Sequence, residues 1–269
     1  VEGLKPSGQK DTIPLNPYLN MTKKRIVLML LPVLCAGTVW AAKDKTEKSS
    51  VSAEEPPAQT EIVDEPTPEI IDPGTYALNF RFYSEGGVTS RILIGPMKRV
   101  NLGISFDVQH FTGHDDPHMI RPSVFFKLRF FDGTDKLPAL AIGYENQGYI
   151  WQKSIDQFLN RERGLYLVAS HEIFIPDLEI QAGVNTYDFN NSTVYAFLGT
   201  TYKVTNNFSL LAEYDNIRDI AYDRFNMGGR FYVTPKFFVD FCARNIGRDS
   251  SKGAERILRL NYAANFPTF

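Results

Sequence analysis

From Thr75 to Phe266 the chain alternates apolar and polar residues with a period of two, window after window. Successive side chains of a strand point to opposite faces, so each window reads as a strand with one greasy and one polar side. The windows are 75–84, 88–95, 98–111, 121–131, 138–149, 164–171, 177–187, 193–203, 207–217, 224–234, 236–246 and 255–266, about twelve strands. One face is apolar in each of Val100/Leu102/Ile104/Phe106/Val108, Val124/Phe126/Leu128/Phe130, Leu178/Ile180/Ala182/Val184, Phe208/Leu210/Ala212/Tyr214 and Phe237/Val239/Phe241/Ala243. None of these faces carries a charge.

The opposite faces carry Arg81, Asp107, Lys127, Arg129, Glu145, Glu179, Glu213, Asp215, Arg230, Asp240, Arg244 and Arg259, with Arg91 beside them. Packed inside a soluble sandwich or barrel, so many charges would carry a severe desolvation penalty. Facing the lumen of a membrane barrel they line a wet or salt-bridged interior, while the charge-free faces meet lipid, where a midplane charge costs about 2–4 kcal/mol. Their signs are close to balanced, which argues against strong charge selectivity and fits side chains pairing across a narrow lumen.

Connection lengths agree with this arrangement. An even strand number brings both chain ends to one side, with short turns there and long loops opposite. The tight turns are Gly95-Pro96-Met97-Lys98, Val204-Thr205-Asn206-Asn207 and Val233-Thr234-Pro235-Lys236, and the long loops are 112–120, 150–163, 218–223 and 247–254. Glu85-Gly86-Gly87 is a short exception. The expected fold is all-β: a transmembrane antiparallel up-and-down barrel over 75–269, in the outer membrane of a Gram-negative-type bacterium. A secreted soluble β-sandwich or lipocalin-like barrel is the alternative. The last strand, ending near Tyr262, Phe266 and Phe269, resembles the signal read by the barrel-assembly machinery. Lipid and lipopolysaccharide are the other expected partners.

Ahead of the barrel, Met21 opens a secretory signal over 21–42. Lys23, Lys24 and Arg25 precede an apolar run to Val39, and Ala41 and Ala42 fit the small-residue cleavage rule. Residues 1–20 read as upstream sequence before the physiological start. Pro32-Val33-Leu34 before Cys35 is a poor lipobox. Residues 43–74 are acidic and Pro-rich, with too little apolar surface to offset ordering entropy, so they read as a disordered periplasmic linker.

Chemistry-bearing clusters are few. Basic and acidic residues number 29 and 31, and no basic excess points to nucleic acid. His110, His114 and His118 flank Asp115 and Asp116 on a segment with Gly113 and Pro117, which reads as an external loop rather than a metal site. Ser170 and His171 are adjacent, hence on opposite strand faces, and cannot pair as nucleophile and base. No enzyme activity and no cofactor are expected. Cys242 points inward by parity. Trp151, Ile155, Phe158 and Leu159 are spaced as one face of a short helix in the longest loop, which would pack on the rim or act as a lid.

Leu140-Ala141-Ile142-Gly143-Tyr144-Glu145-Asn146-Gln147-Gly148-Tyr149 and Gly164-Leu165-Tyr166-Leu167-Val168-Ala169-Ser170 resemble paired strands of the YjbH-like outer-membrane family. Leu210-Leu211-Ala212-Glu213-Tyr214-Asp215 and Arg256-Ile257-Leu258-Arg259-Leu260-Asn261-Tyr262 are similar to it too. The resemblance implies a barrel linked to exopolysaccharide production or export, with polysaccharide as a partner. The leading functional expectation is passage or export of polar solutes or saccharides. The alternatives are a non-conducting structural or adhesion barrel that binds partners through its loops and, behind it, an outer-membrane hydrolase.

Overall fold

The computed structural model describes residues 56–269 apart from 155, 174, 188, 190–192, 218–222, 248–253, 268 and 269. Residues 1–20, the signal 21–42, the first part of the linker and Phe269 therefore lie outside the described residues.

The strands are β1 (Thr75–Tyr83), β2 (Gly87–Met97), β3 (Val100–Gln109), β4 (His118–Phe131), β5 (Ala139–Glu145), β6 (Tyr149–Gln152), β7 (Gln157–Asn160), β8 (Gly164–Glu172), β9 (Leu178–Thr186), β10 (Tyr195–Thr205), β11 (Phe208–Asp215), β12 (Arg224–Thr234), β13 (Phe237–Arg244) and β14 (Glu255–Asn265). All but β6 and β7 close into one antiparallel barrel of twelve strands, as the alternation predicts. Closure is made by β1 against β14, with Thr75 opposite Asn265 and Phe82 opposite Leu258. The ladders then run round the wall with no sheet edge left, and at a bulge such as that of β3 with β4 a side chain steps in, Asn146 accepting from the Val124 N–H at 2.7 Å. β6 and β7 pair only with each other, inside the connection from β5 to β8.

The wall is apolar outside and charged inside. Leu102, Val124, Phe126, Leu210 and Phe241 are exposed on the outer surface, whereas Arg81, Asp240 and Arg259 are nearly or fully inaccessible. Leu178 departs from its face-mates. It is buried at the β8–β9 turn, where Ile173 N–H donates to its carbonyl at 3.1 Å. Short turns at Lys98-Arg99, Asn206-Asn207 and Pro235-Lys236 share the end where the barrel's first and last strands begin and finish. Arg99 takes φ 68 there, a left-handed residue within a very tight turn. The longer connections lie at the far end. The exception at Ser84–Gly86 is a single 3-10 turn.

Lipid exposure of the outer face makes a direct prediction. Phe126→Arg, mid-strand on β4, lowers the unfolding free energy in lipid vesicles by about 2–4 kcal/mol. Phe111→Arg, beyond the end of β3, changes it by no more than about 0.5 kcal/mol. Guanidinium titration followed by Trp fluorescence measures both, and equal effects would place the outer surface in water.

Candidate functional site: a lumen filled from within

Residues 56–74 run among the inward-facing side chains of the barrel. The segment carries Glu61, Asp64, Glu65, Glu69 and Asp72 and no basic residue. It folds back on itself: Glu61 bridges Pro66, Thr67 N–H donates to the Thr60 carbonyl at 3.2 Å, and Ile62 N–H donates to the Glu65 carbonyl at 2.8 Å. Val63 and Asp64 form the tip, and Ile62, Val63 and Glu65 are buried completely or almost so. This corrects the expectation of a disordered linker through residue 74. Composition counts only apolar burial, but here the wall supplies ionic and hydrogen-bonding partners that a lone chain lacks.

Those partners account for the tip's backbone group by group. The amides of Val63, Asp64 and Glu65 donate to the Glu213 carboxylate at 2.9, 2.8 and 3.0 Å. The Val63 carbonyl accepts from Arg81 at 3.2 Å and from Arg259 at 3.0 Å, and Arg259 also reaches the Ile62 carbonyl. Arg230 donates to the Glu61 carbonyl at 3.2 Å. The Lys127 ammonium donates to the carbonyls of Thr60 and Thr67, both at 2.8 Å, and of Glu69 at 3.1 Å. An irregular backbone at membrane depth is tolerated only where protein or water satisfies it, and here side chains of the wall do so.

The segment's carboxylates meet the wall's cations in sequence. Glu69 pairs with Arg129 at 3.1 Å, and Glu61 with Arg91 at 2.9 Å and Arg259 at 2.7 Å. Asp64 is bound by Arg81 and lies 3.2 Å from Arg244 and 3.9 Å from Arg224. Glu65 sits 3.0 Å from Arg163. Within the wall, Asp240 binds Arg230 at 2.7 Å and Arg259 at 2.6 Å, Glu145 binds Arg91 at 2.8 Å, and Glu255 binds Arg244. Asp215 takes Arg163 at 3.0 Å and also Arg224. Asp107 accepts from the hydroxyls of Tyr83 and Thr89 at 2.8 and 2.9 Å, and Glu179 lines a cavity at the terminal end.

Sequence reading missed Arg163, Arg224, Glu255 and the whole acidic segment. Arg163 lies in a connection, and Arg224 and Glu255 open strands whose first residues parity does not fix. A usable signal existed in register: Asp215 stands opposite Arg224, Arg230 opposite Asp240, Asp240 opposite Arg259, and Arg244 opposite Glu255. Opposite charges facing across a ladder support each other.

The far-end connection reaches into the same network. Instead of a helix, Tyr149–Asn160 forms the β6–β7 hairpin, with Trp151 and Phe158 edge-to-face at 4.8 Å across it. Cross-strand packing of those two rings needs a period of two, which overrides the helical spacing. Ile155, the fourth residue of that face, lies outside the described residues. The Tyr149 hydroxyl accepts from Arg81 at 3.0 Å, and its ring stands 5.7 Å from Tyr83 and beneath Arg244.

Little space is left in the lumen. Voids of about 30 and 20 Å³ flank the segment, each barely room for a water. A larger cavity of about 750 Å³ opens at the terminal end beside Gln59, Glu69, Arg129 and His171. Gly199 of β10 makes room for the tip: a Cβ there would stand 2.2 Å from Ile62 Cδ1.

Electrostatics separate the segment's acids. Burial pushes the Glu61 carboxyl up, but Arg91, Arg259 and Arg81 outweigh it and hold it at about 2. Burial likewise works against the Asp64 charge, and Arg81, Arg244 and Arg224 bring it well below the usual range. For Glu65 burial prevails. Arg163 opposes it, Asp215 and Glu213 reinforce it, and the carboxyl stays well above the usual range.

The remaining candidates are scattered. His110 follows β3, His114 lies in the loop, and His118 opens β4; Asp115 comes within 3.7 Å of His110. Ser170 is buried and pairs with Gln181, while His171 pairs with Ile180 on the other face. Cys242 is buried between Gly228 and Ile257 of the neighbouring strands. Tyr262 and Phe266 are exposed on the outside near the terminal end.

No protein-family model and no curated protein sequence matches the chain. Among solved structures it is similar to the KdgM porin, with TM-score 0.44 and 12% identity over 72% of this chain and 99% of that one. A structure of KdgM porin in complex with disordered oligogalacturonate matches with TM-score 0.43 and 12% identity over 72% and 99%. The NanC porin follows with TM-score 0.39 and 9% identity over 71% and 100%.

The depressed Glu61 and Asp64 carboxyls set a pH dependence for the segment's seating. A carboxyl whose folded value lies below its free value stabilises above the free value and loses that contribution as pH falls. Seating therefore weakens as pH drops from about 4.5 toward about 2, the interval over which Glu61 takes up its proton. Hydrogen exchange of the 61–67 amides in detergent micelles reads this directly. Glu61→Gln makes the fall over that interval shallower, with Asp64 carrying what remains, and an unchanged profile would remove the Glu61 ion pairs from the account.

Proposed function

We propose that the protein is an outer-membrane barrel for the passage of polar solutes, saccharides first among them, whose own segment 56–74 closes the lumen until it withdraws. One observation carries this reading. Among the described residues the segment forms no ladder with any barrel strand; its only bridge is internal, from Glu61 to Pro66. Withdrawal of residues 56–71 breaks ion pairs and side-chain hydrogen bonds but leaves every rung of the wall intact, while Gly74 stays tied through its N–H to the Gly95 carbonyl at 2.8 Å and through its carbonyl to the Phe266 N–H at 2.9 Å. Pro56, Pro57, Pro66, Pro68 and Pro73 favour this, since a residue without an N–H is a poor addition to a sheet. Gly74, at φ 75 directly before β1, supplies a pivot.

In this reading the terminal end faces the periplasm and the long loops face outward, as for single-chain bacterial barrels. The resemblance to the YjbH-like family makes saccharide the solute to test first. Tyr262 and Phe266 would serve the assembly machinery.

A second reading has its own support. The lumen is ion-paired along the segment, and the two voids that flank it hold only about 30 and 20 Å³. A non-conducting structural barrel would look the same. Planar bilayers separate the two. The full chain is expected to be closed nearly all the time, and a variant lacking residues 57–70 to show open steps at least about tenfold more often, a stabilisation of the closed state by roughly 1.4 kcal/mol or more. Heat-modifiable gel migration certifies that both are folded. Silence from a folded deletion variant would favour the structural barrel.

A further inference from the structure

The wall cations differ in what they would keep if the segment left. Arg91 keeps Glu145, Arg163 and Arg224 keep Asp215, Arg230 and Arg259 keep Asp240, and Arg244 keeps Glu255. Among the described residues Arg81 and Lys127 keep no wall carboxylate within salt-bridge distance, though Asp107 and Glu145 stand in their neighbourhood. Among the described residues the one carboxylate on Arg81 is Asp64, and the partners of Lys127 are three carbonyls of the segment itself. Both side chains are buried, at 2% and 7% exposure. The segment itself covers both, so its withdrawal wets them and leaves two lumen cations without a wall carboxylate in salt-bridge reach. An anion entering the open lumen finds these two charges unclaimed.

We infer that Asp64 is the resident occupant of a carboxylate site centred on Arg81, and that the solute is an acidic saccharide whose carboxylates replace those of the segment. The inference rests on the passage reading above and names its solute class. Arg244 and Arg224, at 3.2 and 3.9 Å from the Asp64 carboxylate, complete the site from the other side. Lys127 supplies a second point of attachment nearer the terminal end. Glu213 decides what accompanies the carboxylate. It now accepts three amide hydrogens of the tip, and on withdrawal keeps only the Asn226 amide, at 2.6 Å, with the rest of its acceptor capacity freed. A ligand matching both needs a carboxylate flanked by hydrogen-bond donors, and a uronic acid with its hydroxyls has that chemistry. A neutral sugar leaves Arg81 unpaired, and a cationic solute is repelled.

The site is testable without touching a charge of the segment. Gly199→Leu puts side-chain atoms where Ile62 now packs, since even a Cβ would stand 2.2 Å from Ile62 Cδ1. That substitution unseats the tip and leaves Arg81, Lys127 and Glu213 in place. In planar bilayers the G199L full chain is expected to show open steps that a short oligouronate blocks reversibly. A maltooligosaccharide of equal length should not block them. Arg81→Gln or Lys127→Gln in the G199L background raises the half-blocking concentration about tenfold or more, the scale of one charge-assisted contact. Should R81Q lose heat-modifiable migration, Arg81→Lys replaces it, and loss of the two-pronged guanidinium still raises that concentration. Equal block of G199L with and without these substitutions overturns the site. Equal block by the neutral sugar overturns the carboxylate requirement, and stronger block by an oligoglutamate peptide overturns the saccharide in favour of an acidic peptide. No open step from folded G199L or from the 57–70 deletion overturns the passage reading itself, and this inference with it.

Discussion

An N–H, a carbonyl or a charge that faces hydrocarbon without a partner costs several kcal/mol, and nothing in a bilayer core can supply that partner. A chain that crosses on strands therefore has to close its sheet, and the β1–β14 ladder does so here. The same cost sorts the side chains. Phe, Leu and Val turn outward because they need no partner, and Arg, Asp and Glu turn inward because one another are the partners available. The barrel is thus stabilised outside by transfer to lipid and inside by pairing, and the two surfaces obey opposite rules.

Pairing inside is more exacting than a water-filled channel would require. Arg259 alone serves Asp240, Glu61 and two carbonyls, and Glu213 serves three amides. In such a setting a partly satisfied network is worse than none. The segment 56–74 supplies partners that the wall lacks. It brings acids to a wall whose buried charges, including that of the Arg163 connection, comprise Arg81, Arg91, Lys127, Arg163, Arg224, Arg230, Arg244 and Arg259 against Asp107, Glu213, Asp215, Asp240 and Glu255. Small residues admit it: the tip packs over Gly199, and the Asp72 carbonyl lies 2.3 Å from where Gly95 would carry a Cβ.

The barrel was legible in the sequence because a period of two and the absence of charge on one face are local signals. Arg81, Asp240 and Arg244 could be placed inward by parity alone. Parity could not say what they meet. Glu61 and Arg259 are remote in sequence and share no strand pair, and no local pattern links them. The segment was read as linker because its composition is that of a chain with nothing to bury, and the wall's charges were judged balanced because Arg163 and Arg224 were left out. The helical spacing of Trp151, Phe158 and Leu159 misled for a related reason. In a short span two periodicities coincide, and the cross-strand contact of Trp151 with Phe158 decides between them.

Arg81 joins the two closures. One of its nitrogens donates both to the Val63 carbonyl and to the Tyr149 hydroxyl, and the other holds Asp64. The segment rising from the terminal end and the hairpin descending from the far end thus meet on a single guanidinium. If the segment withdraws, Arg81 loses its anion and the Tyr149 hydroxyl remains as its described hydrogen-bond partner, a neutral group beside a charge now open to the lumen. Tyr149 also lies beneath Arg244, which loses Asp64 in the same event. Arg244 keeps Glu255, so the imbalance is left at Arg81 alone. An anion arriving at Arg81 restores that balance whether or not the segment returns. The segment from the terminal end and the hairpin from the far end thus share one side chain, and any change in what Arg81 binds is felt by both.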